Sequence, residues 1–146
     1  MTAAAPAQPP AIDAAALQRM LAEVFAPWVQ ELQLQVLEAK PGEVLLRLPV
    51  APIHVHGGGV VCGQTLMAAA DTAMVLAVSA QIGGFKPMTT VQLQTSFLRP
   101  VPGNSPEARV LARVLRAGKN LVFGEIEVLD AQGRLATHST TTYALL

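Results

Sequence analysis

This sequence has little of what several classes of protein depend on. It contains one cysteine, Cys62, so it cannot form an intrachain disulfide, and a reducing, cytoplasmic location is expected. Charged residues make up only 14% of the 146 residues, and ten basic residues balance ten acidic ones. Because there is no basic stripe, we do not expect a nucleic-acid partner. An apolar fraction of 51% beside so few charges instead favours self-association into a homo-oligomer.

Neither a secretory signal nor a membrane span is expected. Residues 1–10 are rich in Ala and Pro but lack a basic start followed by an apolar run, so we predict a disordered leader over residues 1–11. The longest apolar stretch, residues 66–82, carries Asp71, and a charge inside lipid is costly. We therefore expect one globular domain over residues 12–146 and no membrane partner.

The sequence does contain a clear pattern of helices and strands. Asp13 is a suitable N-cap for a helix whose apolar residues recur at helical spacing as far as Phe25, and Pro27 ends or kinks it. Residues 63–81 show no alternation and are apolar on nearly every side, which predicts a buried helix ended by Gly83-Gly84. Alternating apolar residues predict strands over 32–39, 43–50, 89–98, 107–116, 121–129 and 134–146.

This order of elements predicts an α+β domain. A helix that is apolar on most sides needs cover all round, and an antiparallel sheet wrapped around it provides that cover. Along the strand at 89–98, one face is expected to carry Val91, Leu93, Thr95 and Phe97.

Asp71 is the anomaly within the apolar helix, where its neighbours are alanine, threonine, methionine and valine. Burying an unpaired carboxylate costs several kcal/mol or forces it to become protonated. A carboxyl group in such a place either performs chemistry, pairs locally, or reaches a subunit surface. The residues alone leave these alternatives open.

A glycine-rich stretch, residues 57–63, leads into that helix. Glycine lets backbone approach a ligand closely, and the first N–H groups of a helix have no internal acceptor. The stretch is therefore suited to hold the oxyanion of a reacting carbonyl, although a plain flexible loop is the alternative. It is not a phosphate loop, because the Gly-Lys-Ser/Thr ending is absent.

Two histidines precede this stretch, and a cysteine lies within it. His54 and His56 would need a third ligand to hold a metal, and only Asp71 is available nearby, so neither metal nor cofactor is expected. Cys62 could be a nucleophile because a helix N-terminus favours the thiolate. No cysteine-hydrolase motif surrounds it, however, and a small core side chain is the commoner role.

From Gly59 to Met74 the sequence resembles the hallmark of hotdog-fold thioesterases of the phenylacetate-degradation (PaaI-like) type. That hallmark contains an Asn, a Gly, then His-Gly-Gly, and an acid nine residues after the histidine; the acid falls on Asp71. Residues 90–100, 116–119 and 133–136 are also similar to family segments, so the resemblance spans residues 22–146. Two positions depart from the family: His-Gly-Gly is here Cys62-Gly63-Gln64, and the Asn is His56.

The resemblance implies a hotdog fold, hydrolysis of acyl-CoA thioesters, and a dimer or dimer of dimers with sites at the subunit interface. In each site the Gly63 N–H of one subunit would bind the oxyanion. Asp71 of the other would act as general base or as nucleophile, and the sequence leaves these two roles open.

Other site residues follow from the same resemblance. Thr90 would place the water, and His56 would stand where the family Asn lies, with Cys62 at the helix entrance. The expected substrate-binding residues are Gln64, His54, Phe25, Trp28, Arg116 and Lys119. Of these, Phe25 and Trp28 would line an acyl pocket unless they pack in the core, and Arg116 and Lys119 would meet the CoA phosphates unless they are merely solvated.

Two other functions stay open at this point. A hotdog enoyl-CoA hydratase or dehydratase pairs a histidine with an acid, which His56 and Asp71 could imitate. A non-catalytic acyl-CoA-binding protein would need the pocket but not Asp71.

Overall fold

A computed structural model describes residues 3–4 and 12–146 of the chain. The predicted leader, residues 1–11, therefore lies outside the described residues except at positions 3–4. The elements are α1 (Ala14–Glu23), α2 (Pro27–Gln30), β1 (Gln35–Lys40), β2 (Glu43–Pro49), a 3-10 turn (Pro52–His54), α3 (Gly63–Ile82), β3 (Met88–Phe97), β4 (Glu107–Ala117), β5 (Leu121–Leu129) and β6 (Leu135–Leu145).

The strands form one six-stranded sheet in the order β1-β2-β4-β5-β6-β3, and every neighbouring pair is antiparallel. The predicted hotdog arrangement is confirmed, because the long apolar helix α3 packs against this sheet. α3 is long and apolar enough to span a membrane, but 67% of that stretch is buried inside the fold, as in a core helix.

The core lies between α3 and the sheet. Met74, Leu76 and Val78 of α3 are fully buried, and so are Leu46 and Ile126 on the sheet side. The many alanines of α3 let the sheet approach closely, and Gly83, with φ of +83°, ends the helix by donating its N–H to Ser79 O. The amphipathic helix α1 covers the opposite end of the core through Leu17 and Leu21.

The prediction of a strand from residue 32 is wrong at its start. β1 begins only at Gln35, because Gln33 has a φ of +55°, a left-handed conformation that a strand cannot contain. The first helix ends at Glu23, four residues before Pro27, and Pro27 instead begins α2, where its missing N–H costs no helical hydrogen bond. The bounds of the other predicted strands agree with the structure to within one residue.

The strand β3 contains a bulge that the simple alternation did not predict. Its pairing with β6 shifts between Thr90 and Gln92, so Val91 is the extra residue and its side chain is 60% exposed. The bulge thus interrupts the predicted alternation between Val91 and Leu93. The bulge also moves Thr90 onto the face that meets α3, since a one-residue shift reverses the side of the sheet on which a side chain lies.

Replacing Gly124 with alanine is expected to destabilise the fold. The added methyl group would contact Met74 Cε, with Met74 Sδ at 2.7 Å and the carbonyl oxygen of Arg113 at 2.8 Å. Overpacking of this kind costs roughly 1–3 kcal/mol. Thermal denaturation followed by circular dichroism measures it. Gly84→Ala is the matched control, because nothing lies within 4 Å of its added methyl group, and equal melting temperatures for the two variants would contradict the packing described here.

Candidate active site

One face of α3 is only partly covered by its own chain. Gly63, Met67, Asp71 and Val75 recur at every fourth position, so they share this face, and all four are half-buried. The face lies beside β3, which is an edge strand of the sheet. The α3 face with its neighbouring edge strand is therefore where the apolar interior reaches the surface.

The Asp71 carboxylate is held from one side only. Thr90 Oγ1 donates to Asp71 Oδ1 at 2.9 Å, and the hydroxyl of Tyr143 donates to the same oxygen. Oδ2 has no hydrogen-bond partner in the part of the chain that the structure describes, and it is not enclosed. Asp71 is thus fixed through Oδ1, while Oδ2 stays free to meet another molecule.

Tyr143 is the residue that sequence reasoning missed. It lies on β6, 72 positions after Asp71, and is 1% exposed. Burial, and then the neighbouring Asp71 carboxylate, raise the pKa of Tyr143 far above its usual range, while its contact with Thr90 acts in the opposite direction. The hydroxyl therefore stays protonated and able to donate. In the sequence, Tyr143 stood out only because it is the single tyrosine.

The start of α3 has no cap. Leu66 makes the first helical hydrogen bond, to Cys62 O, and no side chain caps the helix. The N–H groups of Gly63, Gln64 and Thr65 consequently have no acceptor among the described residues. Cys62 does not serve as a cap because its Sγ is turned towards Thr65 Oγ1, at 3.1 Å. Three free donors at the positive end of a helix are suited to an anion or an oxyanion.

Two clefts open on either side of this helix start. The Phe97 cleft, of about 360 Å³, is lined by His56, Val60, Val61, Gly63, Leu66, Phe97, Leu98, Arg99, Pro100 and Val101. The Trp28 cleft, of about 220 Å³, is lined by Trp28, Glu31, Leu32, Ile53, His54, Gln64 and Thr65. Among the predicted site residues, the structure thus brings His56 to Gly63, and Trp28 and His54 to Gln64.

The two histidines differ in their surroundings. His56 is exposed, and its Nδ1 accepts from the N–H of Gly58 at 2.9 Å, so the neutral ring carries its proton on Nε2. His54 is buried, and its Nδ1 has no hydrogen-bond partner among the described residues. The described part of the chain brings no group of three His, Cys, Asp or Glu side chains together.

Three predicted substrate-binding residues lie elsewhere. Phe25 packs against the core and lines neither cleft. Arg116 is exposed at the end of β4, and Lys119 in the turn that follows. Cross-strand pairing places Ala117 three strands from Thr90, through Val122 and Tyr143, which corresponds to about 14 Å.

Asp71 and Gly63 of one chain are too far apart to act on one carbonyl. They are eight residues apart on α3, which corresponds to about 12 Å along the helix axis. A reacting carbonyl bound at the helix start needs its attacking group at about 3–3.5 Å.

Comparison with known proteins identifies the family. The model of the Thioesterase superfamily matches residues 54–137, more than half of the chain. The chain belongs to the thioesterase superfamily. This thioesterase is 27% identical over 135 residues to the protein named "Putative esterase Ta0293" of Thermoplasma acidophilum, covering 84% of this chain and 92% of the other. The predicted family is confirmed, and with it thioester hydrolysis as the general function.

Two solved structures are similar to this chain in both sequence and fold. The conserved protein PA5202 from Pseudomonas aeruginosa is 29% identical with a TM-score of 0.77, covering 84% of this chain and 95% of its own. A mutant of the phenylacetic acid degradation protein PaaI from Thermus thermophilus is 25% identical with a TM-score of 0.73, covering 83% of this chain and 100% of its own.

The single tyrosine of this thioesterase is expected to resist ionisation in the folded state. Because Tyr143 has a raised pKa, tyrosinate absorbance should not develop around pH 10, where an ordinary tyrosine titrates. Folding stability should then fall above about pH 10, since only the unfolded chain releases this proton. The measurement is ultraviolet absorbance against pH, with the guanidinium-unfolded protein as control. Titration at the same pH in both states would contradict the buried contact with Asp71.

Proposed function

We propose that this thioesterase hydrolyses acyl-CoA thioesters to a free acid and CoA, with Asp71 Oδ2 as the reacting oxygen. The observation that carries the proposal is the asymmetry of the Asp71 carboxylate, with Oδ1 held by Thr90 and Tyr143 and Oδ2 free. A carboxylate fixed in this way is pre-oriented for a general base or a nucleophile.

Either role gives a balanced reaction. As general base, Oδ2 takes a proton from water, the hydroxide adds to the thioester carbon, and the tetrahedral intermediate expels the CoA thiolate, which takes the proton back. As nucleophile, Oδ2 adds to the carbon and expels the thiolate; water then hydrolyses the mixed anhydride, which restores the Asp71 carboxylate, releases the acid and gives its remaining proton to the thiolate. In both cases Thr90 and Tyr143 act through Asp71 by keeping Oδ2 turned outward.

The start of α3 supplies the second half of the chemistry. Negative charge develops on the carbonyl oxygen in the transition state, and a fixed N–H donor stabilises it there without reorganisation. The free N–H of Gly63 fits this role, because it lies at the mouth of the Phe97 cleft without an acceptor. The Nε2–H of His56 in the same cleft would be a further donor to the thioester carbonyl.

We further propose that the two halves come from two copies of the chain. The separation of about 12 Å between Gly63 and Asp71 along the helix axis supports a site that two copies share. A two-fold dimer that pairs the α3 face and the β3 edge would place the helix start of one copy beside Asp71 of the other. Val91, Phe97 and Leu98, each more than half exposed, would be covered by this interface.

The CoA phosphates would be bound at the exposed turn after β4. Arg116 and Lys119 carry positive charge there, and charge-assisted hydrogen bonds to phosphate are strong. The distance of about 14 Å from the Thr90 position gives room for the extended pantetheine arm between the thioester and the phosphates.

Asp71→Asn is expected to remove most of the hydrolysis of acyl-CoA. Loss of a general base costs about 100- to 10,000-fold in rate, and the amide remains similar in size. The measurement is release of CoA thiol from a panel of acyl-CoA thioesters. Asp13→Asn is the matched control, because Asn caps α1 as well as Asp does. Near-normal turnover in a folded Asp71→Asn protein would leave only a non-catalytic role for Asp71.

Cys62→Asp is expected to raise stability while lowering activity. The new carboxylate would cap α3, which is worth about 1 kcal/mol, but it would place negative charge beside the oxyanion. Loss of one oxyanion donor costs roughly 100- to 1,000-fold in rate, and we expect a loss of that order. Melting temperature and thiol release measure the two effects.

Cys62→Ala separates this effect from covalent catalysis. It provides neither cap nor charge, so it should retain substantial activity and form no acyl adduct detectable by mass spectrometry. Complete loss of activity, or a stoichiometric adduct on Cys62 of the natural protein, would make the thiol the nucleophile.

Mixing the two inactive variants tests the shared site. When Asp71→Asn and Cys62→Asp subunits are unfolded together and refolded, a mixed dimer contains one site with an unaltered helix start and an unaltered Asp71. Activity should therefore reappear in the mixture and not in either variant refolded alone. If the mixture stays inactive although mixed dimers form, each site belongs to a single subunit.

A further inference from the structure

The sheet has two edges, and they differ in how they are covered. β1 and β3 are its outermost strands, so among the described residues each has one side without a neighbouring strand. Such an edge presents backbone N–H and C=O groups with which a strand of a second copy can pair. The β3 edge is part of the dimer interface proposed above. Whether assembly stops at two copies then depends on the β1 edge.

Gln18 occupies the β1 edge. Its side chain extends from α1, where Gln18 Nε2 donates to Leu34 O at 3.1 Å and Val36 N–H donates to Gln18 Oε1 at 2.7 Å. These two bonds lie on either side of Gln35, which pairs with β2. In a parallel pair of strands, one residue makes the same two bonds, donating to the residue before its partner and accepting from the residue after it. The amide of Gln18 therefore replaces one peptide group of an absent strand.

The rest of the β1 edge is protected in other ways. Its pairing with β2 shifts after Val36, so Leu37 is a bulge residue that interrupts the edge. Beyond the bulge, Glu38 and Lys40 carry charge. Bulges and charged side chains both keep the edges of separate sheets apart. The segment before the bulge has neither protection, and it is the segment that Gln18 covers.

The β3 edge has the opposite character. Residues 88–97, which form β3, contain no charged side chain. From Gln92 to Phe97 the pairing of β3 with β6 runs without a shift. A regular, uncharged edge is one with which a second copy can pair. One edge of the sheet is thus open to association, and the other is closed against it.

We propose that Gln18 controls assembly: it closes the β1 edge, so that a second copy of this chain joins through β3 alone. A two-fold dimer through β3 uses that edge in both copies. If the β1 edge were open as well, β1 of one dimer would pair with β1 of the next, and the sheet would continue without end. Closure of the β1 edge is independent of the proposed reaction, whereas the end point at two copies rests on the proposed dimer.

Hydrogen exchange at the Val36 amide tests the contact itself. Gln18→Ala should raise the exchange rate of Val36 N–H about tenfold, the effect of losing one hydrogen bond, because this edge amide then faces water. The measurement is mass spectrometry on dilute protein. Gln30→Ala is the matched control, because it removes the same kind of side chain, whose Nε2 donates to Phe25 O at 2.8 Å. Equal exchange at Val36 in all three proteins would overturn the proposal.

The molar mass in solution tests the control of assembly. In light scattering against protein concentration, the natural protein and Gln30→Ala should each keep one mass. Gln18→Ala should add species whose mass rises with concentration. Association of unfolded protein would have the same effect, and a double variant separates the two causes. Leu37 is 38% exposed, so Leu37→Lys adds a charge to the same edge without disturbing the core. Added to Gln18→Ala, it should restore the natural mass.

The outcomes distinguish this proposal from the others. If Gln18→Ala keeps the natural mass at every concentration, Gln18 only ties α1 to β1, and the proposal is wrong. Growth that Leu37→Lys does not suppress also overturns it, because the copies then join elsewhere. A natural protein that is monomeric, with growth in Gln18→Ala that Leu37→Lys suppresses, would support closure of the β1 edge and reject the β3 dimer. None of these measurements uses a substrate, so they stand apart from the test of thioester hydrolysis.

Discussion

α3 can bury its alanine-rich surface only because one sheet curves around it. This sheet leaves one face of the helix uncovered. The uncovered face carries Gly63, Met67, Asp71 and Val75. An unpaired carboxylate at one of the fully buried positions of α3, such as Ala73 or Ala77, would be sealed in an apolar core. The edge strand β3 lies beside the same face, so the unpaired strand edge and the uncovered helix face form one surface that a second copy could cover.

The uncapped start of α3, where the oxyanion would bind, reduces local stability. A comparison with the start of α1 shows this. α1 is capped by Asp13, whose Oδ1 accepts from the N–H of Ala16 at 2.8 Å, whereas the much longer α3 has no side-chain cap. A missing cap costs about 0.5–2 kcal/mol. The uncapped N–H groups at the start of α3 therefore reduce the stability of this helix. A substrate oxygen that accepts hydrogen bonds from them would account for this loss.

The buried carboxyl group of Asp130 shows what a purely structural one looks like. Asp130 accepts hydrogen bonds from the backbone N–H groups of Gln132 and Arg134 and from Arg134 Nε, so both of its oxygens are occupied. Burial opposes ionisation of Asp130, but these hydrogen bonds and the charge of Arg134 outweigh it and lower its pKa. Asp71 differs because only Oδ1 is occupied. This free oxygen at the edge of the core distinguishes Asp71 from the turn-forming Asp130.

The sequence by itself determined the helices and strands, the enclosure of α3, and the two residues on which the proposed reaction is built. Those features depend on periodicity and on neighbours within a few positions, and Asp71 and Gly63 are exceptional against their own neighbours. Only the tertiary structure decided what surrounds them. The bulge at Val91 turned Thr90 towards Asp71, β6 brought Tyr143 from 72 positions away, and packing gathered Trp28, His54 and Gln64 around one cleft. Such contacts join residues far apart in the chain, and because a one-residue shift reverses the face of a strand, no local pattern specifies them.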